Sequence, residues 1–94
     1  MDPLVRWRCV AKGRVQGVYY RARVAEAARR QGLAGTVRNA SDGTVVIEVQ
    51  GAPGAIDAFL RDITGPSGLS DATSVERVAE LPPAAGAEGF EIVR

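Results

Sequence analysis

The spacing of apolar residues changes several times along this chain, and these changes restrict the fold more than any other feature. From Val5 to Lys12 apolar and basic residues alternate, and this period of two predicts a half-buried strand. From about Tyr20 to Gln31 apolar residues return every three or four positions, which predicts a helix that stops at Gly32. The chain is therefore expected to begin with a strand and a helix.

The middle of the chain predicts two more strands and a second helix. The strands, Ala34–Ala40 and Thr44–Gln50, flank Asp42-Gly43, a dipeptide that supplies the positive φ of a tight hairpin turn. The second helix starts at Pro53 and stops at Gly65-Pro66. Its apolar residues have the spacing of one helix face: Ile56, Phe59, Leu60 and Ile63.

The last part of the chain predicts a strand from about Thr73 to Leu81 and a short terminal strand at Phe90–Ile92. Val75 and Val78 share a face of the longer strand only if it contains a bulge. The resulting order, βαββαβ with a short extra strand, is that of the α+β ferredoxin-like sandwich, an antiparallel sheet with two helices on one face. We expect a single domain over residues 1–94.

Charge and length limit the function classes. The 94 residues carry a net charge of +1, which predicts no extended surface for nucleic acid or an anionic membrane. No apolar run approaches the roughly 18 residues of a membrane span, and the N-terminus lacks the pattern of a signal peptide. These features predict a cytoplasmic protein that binds a small anion.

The chain contains no histidine and a single cysteine, Cys9. Catalysis by a Ser–His or Cys–His pair, a zinc site and a His₂-carboxylate iron site are therefore excluded. Cys9 and Trp7 fall on the predicted core face of the first strand, which indicates packing roles for both.

Polar chemistry is concentrated in the segment Gly13–Arg21, between the first strand and the first helix. Its glycines, Gly13 and Gly17, allow the backbone to approach a ligand, and the helix start offers unpaired N–H groups. Glycines alone more often only shape a loop. Arg21 changes this interpretation, because a cation in the first turn is repelled by the helix dipole unless an anion offsets it. No Gly-Lys-Ser/Thr sequence follows, so the segment is not a nucleoside-triphosphate loop.

The topology predicts what lies near this segment. A right-handed βαβ connection makes the first two strands run in the same direction, so their carboxyl ends share one edge of the sheet. The segment Gly13–Arg21 and Asn39 are then expected to meet at that edge, where α/β sheets often bind ligands. The remaining helix arginines, Arg23, Arg29 and Arg30, are interpreted as solvated surface residues, with Arg30 placed to pair with Glu26.

The sequence resembles the acylphosphatase family, whose pattern G-x-V-x-G-V-x-F-R reads here as Gly13, Val15, Gly17, Val18, Tyr20 and Arg21. The match continues nearly to the end of the chain, through Gly32-Leu33, Gly35, Val37-Arg38-Asn39, Asp42-Gly43, Val45, Gly51, Gly65-Pro66 and the closing Phe90, Ile92 and Arg94. The first motif combined with V-R-N and D-G is far more specific than its glycines alone.

The resemblance implies hydrolysis of acyl phosphates to a carboxylate and inorganic phosphate by a monomer without metal or cofactor. It implies that Arg21 binds the phosphate and that Asn39 positions the attacking water. From the residues alone, the turn-forming role typical of a hairpin asparagine is the favoured interpretation of Asn39. The resemblance also implies that the phosphoryl oxygens are cradled by the backbone N–H groups of Val15, Gln16, Gly17, Val18, Tyr19 and Tyr20.

Three positions depart from the family pattern. Tyr20 stands where phenylalanine is usual and, if buried, needs a partner for its hydroxyl. Thr36 stands where tryptophan is usual, which puts the packing beside the site in question. The connection Ser67–Asp71 is longer than expected.

Two alternatives belong to other function classes. RNA-recognition domains share the βαββαβ order but stack bases on aromatic residues of their central strands, and Val45–Gln50 contains none. A non-catalytic module that binds phosphate or carbamoyl phosphate, as in hydrogenase maturation proteins, would keep the motif without the reaction.

Overall fold

The computed structural model describes residues 3–17, 19–65 and 72–93. Val18 and the Ser67–Asp71 connection lie outside these ranges. None of the helices in these ranges is long and apolar enough to span a membrane. The described elements are β1 (Val5–Gly13), α1 (Tyr20–Arg30), β2 (Ala34–Asn39), β3 (Val45–Gly51), α2 (Pro53–Asp62), β4 (Ala72–Leu81) and β5 (Phe90–Ile92).

All of the predicted elements are present, and their order confirms the ferredoxin-like fold. The strands form one sheet in the order β4-β1-β3-β2-β5. Because β1 and β2 both pair antiparallel with β3, they run in the same direction on either side of it. Their carboxyl ends, at Gly13 and Asn39, therefore lie at the same edge of the sheet, as predicted.

The core lies on the face of the sheet that carries the helices. On β1 the buried Cys9 and Ala11 alternate with residues that are at least partly exposed, such as Arg8. Burial of apolar area of this kind is the main stabilising contribution to the fold. The helices contribute Tyr20, Val24, Ala25, Ala27, Ala28, Ile56 and Phe59 to the same buried cluster.

The predicted irregularity in β4 is a bulge opposite β1. Arg8 pairs with Ala79, but the next residue, Cys9, pairs with Arg77, so Val78 has no partner. Val75 packs partly against the core, whereas Val78 is 51% exposed. The bulge does not bring both valines into the core.

Arginines on α1 have different environments, and one interpretation from the sequence is wrong. Glu26 and Arg30 form the expected pair, with 3.8 Å between carboxylate and guanidinium. Arg29, predicted to be solvated, donates hydrogen bonds from Nε and Nη2 to the Phe90 carbonyl oxygen, at 3.2 and 2.8 Å. It joins α1 to β5, a contact between residues far apart in sequence.

Gly35 allows β2 and β3 to approach closely. Its φ is +146°, and a Cβ built on it would lie 1.8 Å from the backbone oxygen of Glu48. Neither the backbone conformation nor the space admits a side chain.

We expect Gly35→Ala to lower the free energy of unfolding by on the order of 3 kcal/mol, because the strain at positive φ adds to the clash. Gly54→Ala is the control, since Gly54 lies in α2 with nothing within 4 Å of a built Cβ. It should raise stability by about 0.5 kcal/mol. Urea denaturation measures both, and equal stability of the two variants would contradict the expectation.

Candidate active site

The loop between β1 and α1 is anchored at both ends by buried side chains. Val15 and Tyr20 are each 1% exposed and belong to the core cluster. The Tyr20 hydroxyl donates a hydrogen bond to the Ile63 carbonyl oxygen at 2.9 Å, so it has the partner that its burial requires. Burial raises the pKa of Tyr20, which keeps the phenol protonated. The loop is thereby attached to the end of α2.

Between these anchors Gly17 and Tyr19 adopt the left-handed conformation. Gly17 has a φ of 75°, and a built Cβ would meet nothing within 4 Å, so the space above it is open to a ligand. Tyr19 has a φ of 61°, which is strained for a residue with a side chain by roughly 1–2 kcal/mol. Its side chain is 86% exposed. Because Tyr19 is the N-cap residue, its left-handed conformation sets the direction in which the chain enters α1.

Five backbone N–H groups of the loop have no partner in the part of the chain that the structure describes. Among the described residues, no acceptor takes a hydrogen bond from the backbone N–H of Val15, Gln16, Gly17, Tyr19 or Tyr20. The N-cap residue Tyr19 provides no side-chain hydrogen bond, and the first turn of α1 contains no acidic residue. This helix start is therefore positively polarised without a capping group.

Arg21 adds a full positive charge at the same place. Within residues 3–17, 19–65 and 72–93 its guanidinium has neither a hydrogen-bond nor an ion-pair partner. It lines a cavity of about 350 Å³ together with residues of the loop, α1 and β5: Val15, Gly17, Tyr19, Tyr20, Ala22 and Ile92. The structure thus brings Arg21 together with most of the predicted phosphate-binding loop.

Asn39 lies at the same edge of the sheet but does not line this cavity. It is the last residue of β2, pairs with Val45 of β3 and has an exposed side chain. In the described part of the chain its side chain has no hydrogen-bond partner. Its amide is exposed at this edge of the sheet.

Gln16 connects the loop to the turn that follows Asn39. Its side-chain Nε2 donates hydrogen bonds to the carbonyl oxygens of Ala40, at 2.8 Å, and of Thr44, at 2.7 Å. The sequence analysis assigned only the Gln16 backbone to the site and missed this role of the side chain. No local pattern could have revealed it, because the acceptors lie 24 and 28 positions further along the chain.

The turn held by Gln16 is itself well ordered by hydrogen bonds. The Asp42 carboxylate accepts hydrogen bonds from the Thr44 backbone N–H at 3.0 Å and the Thr44 hydroxyl at 2.6 Å. The pKa of Asp42 is lowered, chiefly by the hydrogen bond from the Thr44 hydroxyl. Gly43 has a φ of 91°, and Ala40 and Thr44 are joined by a 2.9 Å backbone hydrogen bond. Asn39 therefore precedes a defined turn.

Other candidate residues lie away from this site. Cys9 is buried, and burial raises the pKa of its thiol to about 11, which disfavours the nucleophilic thiolate. Thr36 lines a different cavity, beside Arg6 and Glu91, and is not part of the cavity lined by Arg21. The described ranges contain no cluster of three or more Cys, Asp or Glu side chains suited to a metal ion.

Comparison with known proteins matches residues 7–92 to the family model of acylphosphatase. An acylphosphatase of Anaeromyxobacter dehalogenans is 42% identical over 94 residues, which cover 98% of each chain. Among solved structures, acylphosphatase from Bacillus subtilis superimposes with a TM-score of 0.83 at 34% identity, covering 96% of this chain and 99% of that one.

The fold also occurs as part of a longer protein. The full-length HypF structure, in its phosphate- and nucleotide-bound form, matches with a TM-score of 0.79 at 28% identity. The match covers all of this chain but only 12% of HypF.

Proposed function

Because the chain belongs to the acylphosphatase family, we propose that its hydrolysis of acyl phosphates depends on Arg21, Asn39 and the loop backbone. As a member of this family, the protein is a hydrolase that converts an acyl phosphate to a carboxylate and inorganic phosphate. Arg21 and the N–H groups of Val15 to Tyr20 bind the phosphoryl group in this proposal, and Asn39 orients the attacking water.

The observation that carries the proposal is the positive charge at the start of α1, which has no partner among residues 3–17, 19–65 and 72–93. The Arg21 guanidinium, the free N–H groups and the helix dipole coincide there without an acidic residue in the first turn. Such an arrangement is unfavourable without a ligand and favourable around a phosphate, which accepts a bidentate bond from arginine and single bonds from the amides. The open space above Gly17 lets the phosphoryl oxygens reach the backbone.

The reaction requires little general acid–base catalysis from the protein. The water oxygen attacks phosphorus, the bond from phosphorus to the acyl oxygen breaks, and its electron pair leaves with the carboxylate. A carboxylate leaves without a proton, and the water proton passes to a phosphoryl oxygen, which yields dihydrogen phosphate. The protein then contributes mainly positioning and stabilisation of charge on the equatorial oxygens. Preorganised donors are suited to that task.

The family match also supports the coarser features of the proposal. The relative from Anaeromyxobacter dehalogenans is covered along 98% of its length, which supports one acylphosphatase domain over residues 1–94. We propose that it acts as a cytoplasmic monomer on a small-molecule substrate, without a metal ion, cofactor or nucleic acid.

The alternative function, a non-catalytic phosphate- or carbamoyl-phosphate-binding module, rests on the HypF match. HypF contains this fold as about an eighth of its chain, since the match covers 12% of it. The Bacillus subtilis acylphosphatase is more similar to this chain, at 34% identity against 28% for HypF, and this difference favours the enzyme.

Substrate selectivity tests the proposed reaction. We expect efficient release of inorganic phosphate from an aryl acyl phosphate and slow release from an alkyl phosphate, because an alkoxide needs a proton or a metal to leave. The alkyl phosphate should still act as a weak competitive inhibitor. The measurement compares kcat/KM in the presence of a chelator, corrected for spontaneous hydrolysis. Similar values for both substrates would contradict the mechanism.

Arg21→Lys tests the role of the guanidinium. The variant keeps the positive charge but loses the fork of donors, so kcat/KM should fall on the order of 100-fold. Arg30→Lys is the matched control, since Arg30 lies on the same helix in an exposed pair with Glu26. Its kcat/KM should stay near the wild-type value. Near-normal activity of Arg21→Lys would remove Arg21 from the site.

Asn39→Ala separates catalysis from phosphate binding. Because Asn39 holds water in this proposal, the variant should lose kcat by on the order of 100-fold and keep the inhibition constant of inorganic phosphate. Steady-state kinetics with phosphate as inhibitor measure both. A collapse of phosphate affinity in the folded variant would show that Asn39 binds the phosphoryl group instead.

A further inference from the structure

We propose that the Gln16 side chain is a positioning residue for hydrolysis, acting through Asn39 and not on the phosphate. This inference rests on the role proposed above for Asn39. Gln16 belongs to the phosphate-binding loop by its backbone, but its side chain is directed to the turn between β2 and β3.

The two hydrogen bonds of Gln16 use all of its donor capacity. A side-chain amide has two N–H bonds on one nitrogen, and the two acceptors are carbonyl oxygens, which cannot donate. The orientation of the amide is therefore determined by its partners. Both distances, 2.8 and 2.7 Å, are short for N–H···O bonds.

The acceptors lie on either side of the turn that follows Asn39. Ala40 is the next residue along the chain, and Thr44 precedes Val45, the strand partner of Asn39. Gln16 thus binds the backbone immediately after Asn39 and immediately before the residue opposite it. A shift of this turn would move the Asn39 amide relative to Gly17 and the loop N–H groups.

The two hydrogen bonds of Gln16 affect the rate because they help to fix the distance between the attacking water and the phosphoryl group. The attacking water and the phosphoryl group must be held in line, and a displacement of about 1 Å can lower a rate on the order of 100-fold. The phosphate is held by the loop and Arg21, whereas the water is held by Asn39 at the end of a different strand. The Gln16 amide is the side chain that joins these two parts among the hydrogen bonds of the described residues.

Gln16→Met tests the proposal, because methionine has a similar length but no donor. We expect kcat to fall about 10-fold to 100-fold, with the inhibition constant of inorganic phosphate changed less than about twofold. Gln16→Glu, which retains polarity but presents acceptors to the two carbonyls, should show the same pattern. Gln16→Glu provides a second variant if Gln16→Met folds poorly. Circular dichroism and urea denaturation establish the folded fraction of both variants.

Gln50→Met is the matched control. Gln50 also attaches a loop through its amide, since Nε2 donates to the Ala84 carbonyl at 3.0 Å and Oε1 accepts from the Ala84 N–H at 2.7 Å. It lies near the opposite end of β3, paired with Ala34 and not with Asn39. We expect a loss of stability without a change in kcat per folded molecule.

A double-mutant cycle with Asn39→Ala shows through which residue Gln16 acts. If it acts through Asn39, then adding Gln16→Met to Asn39→Ala lowers kcat no further. A full additional loss of kcat in the double mutant would overturn the proposal, as would an unchanged kcat in the single variants. So would a loss of phosphate affinity that matches the loss of kcat, since Gln16 would then shape the phosphate loop.

The single variant Asn39→Ala distinguishes this inference from the proposed function. If that variant retains wild-type kcat, the role of Asn39 fails and the role of Gln16 fails with it. If Asn39→Ala loses kcat and the Gln16 variants do not, only the role of Gln16 is wrong.

Discussion

The burial of Val15 and Tyr20 on either side of an open loop is the constraint on which the site depends. Each side chain belongs to the core, and the Tyr20 hydroxyl also binds the Ile63 carbonyl. Both ends of the loop are therefore fixed in the core, while the N–H groups of Gln16, Gly17 and Tyr19 have no partner among the described residues. A flexible loop would need to lose conformational entropy each time it bound an anion. Here the burial of Val15 and Tyr20 fixes the two ends of the loop before any ligand binds.

This arrangement places stability and catalysis in opposition at the start of α1. The left-handed conformation of Tyr19, the missing cap and the charge of Arg21 all oppose folding. In the function proposed above, the same features supply an oriented positive potential for a phosphoryl group, because donors that are already in place require no reorganisation during the reaction. The core packing of β1 and α1 offsets these unfavourable contributions. In the proposed function, the phosphoryl group relieves them when it binds.

Most of the architecture could be predicted from the sequence, because each element has a clear period and a clear end. Gly32 has the positive φ expected of a helix stop, Gly43 that of a hairpin turn, and β4 has its bulge where its valines are out of phase. Element ends differ by a residue or so, as at Ala40 and Thr44, which lie outside the strands. The position of Arg21 in the first turn of α1, beside the loop, was also predictable, and its binding of phosphate stays a prediction.

The sequence by itself determined which residues form strands, helices and the loop between β1 and α1, because these depend on neighbours within a few positions. It also determined the family, through motifs that retain their order and spacing. The tertiary structure decided how the parts are joined: Arg29 to the Phe90 carbonyl, and Gln16 to the turn beside Asn39. These contacts link residues brought together by the pairing of β1 and β2 with β3. A side chain that binds the backbone of a distant turn leaves no periodic pattern, since a carbonyl oxygen is present at every residue and only the folded chain selects one.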